Sequence, residues 1–141
     1  MSQAKRVIFL CTGNSCRSQM GEGLLRHIGG EAVESFSAGT KPADRVHPLA
    51  VATMAERGID ISSHTPKVLD DFDGETFDLL ITTCDSAQEE CPHYSGAKER
   101  LHWSLPDPAD ATGTEEEIRA FFREVADDIE RRINELLADT A

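Results

Sequence analysis

The strongest constraint on the fold lies in the first thirty residues. A continuous apolar run, Val7-Ile8-Phe9-Leu10, passes directly into Cys11-Thr12-Gly13-Asn14-Ser15-Cys16-Arg17-Ser18 and then into a helical repeat. An apolar run without alternation reads as a strand buried on both faces, the pattern of a parallel sheet covered by helices. Met20, Leu24 and Ile28 then recur at four-residue steps in a helix expected to start near Ser18, and Gly29-Gly30 stops it. Strand, tight loop and helix in that order put the loop beyond the carboxyl end of a parallel strand, where sheets of this kind bind ligands.

The same alternation continues along the chain. Phe77, Leu79, Leu80 and Ile81 form a second apolar run within an expected strand from Phe77 to Cys84, and Val33 to Ser37 and Leu101 to Ser104 read as two shorter strands. Leu49 to Arg57 is helical, entered at Pro48 and stopped by Gly58. The last helix opens on a capping box, Thr114 with Glu117, and Ile118, Phe121, Phe122, Val125, Ile129, Ile133 and Leu136 mark its apolar face. Pro106 to Gly113 reads as a loop. The expected fold is α/β: a four-stranded parallel sheet flanked by helices, in a single domain over residues 1–141, a length with no room for a second.

Charge narrows the partners. Lys and Arg number 14 against 26 Asp and Glu, a formal charge of −12, which argues against nucleic acid and anionic membranes as partners. A chain this acidic that binds an anion needs a locally positive site of oriented amides and a cation. Met1 to Lys5 leads into the first strand with no signal-peptide or membrane-spanning pattern, and four cysteines without export signals suggest reduced thiols with a chemical task. A cytoplasmic monomer is expected.

The loop can supply the anion site. The backbone N–H groups from Thr12 to Arg17 can converge on one point at a helix N-terminus, and the Arg17 guanidinium can hold two oxygens of a phosphate-like group. Gly13 relaxes the backbone for close approach, and Asn14 suits a left-handed position from which its side chain holds the loop in shape. Cys11 sits where these groups favour negative charge, so it is expected to react as a thiolate, with Ser18 donating to the sulfur. Cysteine, five residues, then Arg-Ser between a strand and a helix marks a nucleophile directed at a tetrahedral oxyanion.

Two later cysteines add redox chemistry. Cys84, at the expected end of the third strand, belongs to the same sheet edge as Cys11, and Cys91 follows seven residues on. Three thiols so arranged suggest a relay in which each new bond is attacked by the next thiolate. A zinc site using Cys84, Cys91 and His93 fits less well, because the gaps match no common tetrahedral spacing and a fourth ligand is missing; no metal is expected. Among the histidines, His27, His47, His64, His93 and His102 form no ligand spacing and read as surface or packing residues, with Trp103 in the core or beside the site.

Residues 5 to about 137 resemble the low-molecular-weight protein tyrosine phosphatase fold, and Cys11 to Ser18 resembles its phosphate-binding loop. That family includes phosphatases and thioredoxin-coupled arsenate reductases, and the loop is common to both. The Cys-x6-Cys pattern at Cys84 and Cys91, together with Ser37-Ala38-Gly39, Asp60-Ile61-Ser62-Ser63-His64-Thr65 and His102-Trp103, resembles the reductases. Asp107-Pro108 matches the place where both groups carry an acid that protonates the departing oxygen, and Ala109 stands where the phosphatases usually carry an aromatic.

The resemblance implies arsenate reduction by Cys11, Cys84 and Cys91, with Arg17 and the loop holding the anion and Asp107 as acid. Phosphate or sulfate would compete, and thioredoxin would be the external reductant, with no bound cofactor. The alternative is a phosphatase acting on aryl phosphates, which needs neither Cys84 nor Cys91. Some reductases of the family also bind potassium through residues matching Asn14, Glu22 and Ser37 and an aspartate replaced here by Lys67. That ammonium is expected to stand in for the ion.

Overall fold

The computed structural model describes residues 4–83 and 96–139. Four strands, β1 (Lys5–Cys11), β2 (Val33–Gly39), β3 (Phe77–Thr82) and β4 (Ala97–His102), form one sheet in the order β2-β1-β3-β4, every neighbouring pair parallel. The described residues add three α-helices, α1 (Arg17–Gly29), α2 (Pro48–Glu56) and α3 (Glu115–Asp139). Strand order reverses at β1, since the chain goes from β1 to one side for β2 and to the other for β3. Cys11, the last residue of β1, therefore lies at the switch point beyond the carboxyl ends of the strands.

The expectation for β1 holds. Val7 to Cys11 are no more than 3% exposed, because the strand is paired on both edges and covered on both faces. Val7 and Phe9 point into a core with Met20, Leu24, Met54, Trp103, Phe122 and Ile129, while Ile8 and Leu10 point the other way, against Ala38, Phe72, Phe77 and Leu80. Phe122, Val125, Ile129 and Ile133 of α3 are buried in the first of these layers, on the stripe read from the sequence. The capping box also forms: Thr114 Oγ1 accepts from the Glu117 N–H at 3.1 Å and Glu117 Oε1 accepts from the Thr114 N–H at 3.3 Å.

Strand ends depart from the expected ones. β4 runs Ala97–His102 rather than Leu101 to Ser104, and its residues are exposed or half-buried throughout. It is an edge strand of the sequence Ala-Lys-Glu-Arg-Leu-His, whose ladder is set by pairing with β3 and leaves no apolar run to read. β2 continues past Ser37 to Gly39, and β3 ends at Thr82, short of Cys84, which with Cys91 and His93 lies outside the described residues. Among the described residues no helix is long and apolar enough to cross a membrane.

Because α3 closes the larger core layer, Ile129→Ala is expected to lower stability by about 2–5 kcal/mol, the cost of a buried methylene deletion plus its cavity. Urea unfolding checks it; a midpoint indistinguishable from wild type would mean that α3 is not seated as described.

Candidate active site

The loop from Cys11 to Cys16 is shaped by what its carbonyls do. A segment following β2, here called the strap (residues 40–47), lies along it: the N–H groups of Thr40, Lys41, Ala43 and His47 donate to the carbonyls of Cys11, Thr12, Gly13 and Ser15 at 3.2, 2.9, 2.8 and 3.0 Å. The two remaining carbonyls are also taken from outside, Asn14 by Gln19 Nε2 at 3.2 Å and Cys16 by the Met20 N–H at 2.9 Å. In a trans peptide the C=O of one residue and the N–H of the next point in opposite directions. With the carbonyls of 11–16 turned outward, the N–H groups of 12–17 face the concave side.

One of those N–H groups, from Asn14, already donates to Cys11 Sγ at 3.1 Å. α1 begins at Arg17 with Cys16 as N-cap and no side-chain cap, so the positive end of the helix opens onto the same concavity. Asn14 adopts φ 51°, the one left-handed non-glycine among the described residues, as its residue type led us to expect. Gly13 is not left-handed, and a Cβ there would meet only ordinary contacts. The close approach falls at Gly39, where a Cβ would come within 2.5 Å of the Thr12 carbonyl oxygen. Glycine there lets the loop lie against the end of β2.

Cys11 Sγ lies 2.8 Å from Ser18 Oγ, which accepts from Asn14 Nδ2 at 2.8 Å. With the Asn14 amide donating into Ser18 Oγ, the hydroxyl proton is directed to the sulfur, and both donors stabilise negative charge on it. Cys16 is the opposite case. Burial pushes its thiol up to about 12, a rise that the Ser15 hydroxyl only partly offsets. It therefore stays protonated; of the two described cysteines, both unbridged, Cys11 is the one faced by the Ser18 hydroxyl and the Asn14 N–H.

Arg17 closes the site. Its side chain is 11% exposed, donates to the Leu105 carbonyl at 3.1 Å and sits 3.4 Å from Asp107 Oδ2. Its Nε is buried with no hydrogen-bond partner among the described residues, an unsatisfied donor beside the loop. Asp107 caps the short 3-10 turn Pro108–Asp110, with Oδ1 accepting from the Ala109 N–H at 3.0 Å, which leaves Oδ2 facing Arg17. The structure thus brings Cys11, Asn14, Arg17, Ser18 and Asp107 together; Cys84 and Cys91 lie outside the described residues.

Behind the loop is a polar layer that sequence reading left mostly unassigned. Asn14 Oδ1 accepts from the Lys67 N–H at 2.8 Å and from Gln19 Nε2 at 3.0 Å. Gln19 is fully buried and its Oε1 accepts a hydrogen bond from His64 Nδ1 at 2.9 Å, while Arg26 donates to His64 Nε2 at 3.2 Å. The signal in the sequence was a glutamine on the buried side of a helix, beside Met20. Glu22, 5% exposed, accepts from Ser37 Oγ and Arg26, and Lys67 Nζ lies 3.7 Å from its Oε1 and 3.1 Å from the Thr65 carbonyl.

Among the described residues no cluster of His, Cys, Asp or Glu is arranged to hold a metal ion. The Lys67 ammonium lies between the Glu22 carboxylate and a carbonyl, both oxygen donors that would suit a monovalent cation. Potassium and sodium at equal ionic strength should therefore give the same melting temperature and activity. A clear rise specific to potassium would show that Lys67 does not fill that place.

The sequence matches the low molecular weight phosphotyrosine protein phosphatase family over residues 6–141. It is 47% identical over 129 residues to a Halalkalibacterium halodurans protein named arsenate reductase, covering 92% of each chain. A solved structure of an arsenate reductase in a phosphate-binding state superposes with a TM-score of 0.83 at 33% identity, over 97% of this chain and 99% of that one. A Corynebacterium glutamicum thioredoxin-dependent arsenate reductase gives a TM-score of 0.75 at 34% identity over 98% of this chain; the match spans 62% of that longer protein. A strand-borne Cys11, an outward-carbonyl loop and Arg17 at the start of α1 thus sit in a chain that belongs to the low molecular weight phosphotyrosine protein phosphatase family, among relatives named arsenate reductases.

Proposed function

We propose that the chain reduces arsenate to arsenite by a relay of Cys11, Cys84 and Cys91, with thioredoxin as the external reductant. The observation that carries this reading is the ring of inward N–H groups around Cys11 Sγ, closed by Arg17 with its unpartnered Nε. It suits a tetrahedral oxyanion of two negative charges. The relatives' names point to arsenate, and Cys84 and Cys91 supply the electrons.

In the first step Cys11 Sγ attacks arsenic while the loop amides and Arg17 hold the other oxygens. Asp107 gives a proton to the departing oxygen, which leaves as water. Cys84 then attacks Cys11 Sγ. The sulfur–arsenic bond breaks with its electron pair going to arsenic, so As(V) becomes As(III), arsenite departs and a Cys11–Cys84 disulfide remains. Cys91 attacks Cys84, freeing the Cys11 thiolate, and a dithiol of the thioredoxin type reduces the Cys84–Cys91 bridge. Two electrons enter and two reach arsenic.

Two features support the relay. Thr83, the residue before Cys84 in sequence, is buried, and both its N–H and its Oγ1 donate to the carbonyl of Leu10, the residue before Cys11, at 2.8 and 3.1 Å. Ala109, exposed after Asp107-Pro108, stands where phosphatases of the family usually carry an aromatic residue. Phosphate and sulfate should bind the same loop and inhibit.

Cys84→Ser and Cys91→Ser should each abolish multiple-turnover arsenate reduction with thioredoxin, and Asp107→Asn should lower kcat by about 10²–10⁴-fold. Coupled NADPH oxidation with thioredoxin and its reductase measures both. Full turnover in either cysteine variant, or fast hydrolysis of aryl phosphate by a wild type inert to arsenate, would make the protein a phosphatase instead.

A further inference from the structure

The strap reaches the loop last at His47, and the residue has three attachments at once. Its backbone N–H donates to the Ser15 carbonyl at 3.0 Å. Its ring Nδ1 accepts from the Leu49 N–H at 3.1 Å, making it the N-cap of α2, with Pro48 at the first helical position. Its ring packs on Phe122 of α3, with centroids 5.0 Å apart. The Ser15 carbonyl belongs to the peptide whose other end is the Cys16 N–H, so whatever holds that carbonyl outward also aims this N–H at the anion.

We propose that His47 is a positioning residue of the oxyanion site: its neutral imidazole, by capping α2, holds the His47 N–H on the Ser15 carbonyl, and protonation of the ring releases that grip. The assignment rests on the reading of the loop as an oxyanion site. An imidazole accepts at Nδ1 only while that nitrogen has its lone pair, so the cap requires the tautomer with its proton on Nε2. An imidazolium would turn an N–H toward the Leu49 N–H and place a cation at the positive end of α2.

The ring's surroundings set the direction. Burial holds the His47 imidazole below its ordinary value of 6.5; the Asp107 carboxylate, from the segment after β4, opposes this, and Arg45 of the strap reinforces it. α3 contributes the Phe122 ring, and the loop contributes the Ser15 carbonyl. The neutral, capping form therefore predominates at neutral pH and persists somewhat below 6.5. Anion affinity is lost as pH falls through the folded-state value, on the acid side. Asparagine at this position would cap without titrating, since its side-chain oxygen accepts from the same N–H.

Sulfate is the probe, because it stays a dianion across the range and does not react with thiols. Its Kd is measured by calorimetry for wild type, His47→Asn and His47→Ala at about pH 7.5 and pH 5.5. At the higher pH the Ala variant should bind roughly fivefold more weakly, matching a lost N-cap of about 1 kcal/mol, and the Asn variant should recover most of that. At the lower pH wild type should weaken more than the Asn variant, and the ratio of their Kd values should rise severalfold. A ratio that stays constant between the two pH values overturns the assignment of His47, and it does so even if the Ala variant fails to fold. Absence of sulfate binding to wild type at either pH would overturn the oxyanion reading and this assignment together.

Discussion

The site depends on one constraint, the outward orientation of six consecutive carbonyls from Cys11 to Cys16. A free loop of this length would point its amides in all directions and hydrate them. Here four strap N–H groups, Gln19 and the first turn of α1 take every carbonyl from outside, and planar peptides then force the amides inward. The binding geometry is established before any ligand arrives, so no reorganisation is needed when the anion enters. Gly39 is part of the same arrangement, because the strap and loop could not lie this close over a side chain.

The constraint also explains how a chain of net charge −12 can receive an anion. Long-range charge repels it, but within the concavity the nearest groups are amides, a helix N-terminus and Arg17, and short-range interactions at low dielectric outweigh distant screened ones. The buried Glu22 would work against this were it not surrounded by Arg26, Lys67 and Ser37 Oγ. Of the two loop cysteines, Cys11 faces the Ser18 hydroxyl and the Asn14 N–H, whereas burial raises the Cys16 thiol.

Much of this was legible in the sequence where a local rule and the global fold agree. The Val7 to Leu10 run gave the central strand, the spacing in the Cys11 to Ser18 loop placed Cys11 at its end and Arg17 at the start of α1, and the residue type at Asn14 anticipated its left-handed backbone. β4 was misplaced because an edge strand takes its ladder from its neighbour and needs no apolar pattern. The strap was invisible because it works through backbone N–H groups, which every residue but proline carries. Gln19 was passed over, and His47 and His64 were read as surface or packing residues, because a polar residue on a partly apolar helix face and isolated histidines carry no spacing signal; only tertiary contact gives them their partners. The reading of Cys84 and Cys91 as a redox pair rests on sequence.

The central claim is that Cys11 begins a two-electron reduction that ends on a pair of thiols distant in sequence. The most direct test is mass spectrometry of the reduced protein after a single turnover with arsenate and no external reductant. The account predicts one equivalent of arsenite and one disulfide, mapped to Cys84 and Cys91, with Cys11 recovered as a free thiol. Four free thiols with arsenate unchanged, or a bridge confined to Cys11 and Cys16, would contradict it.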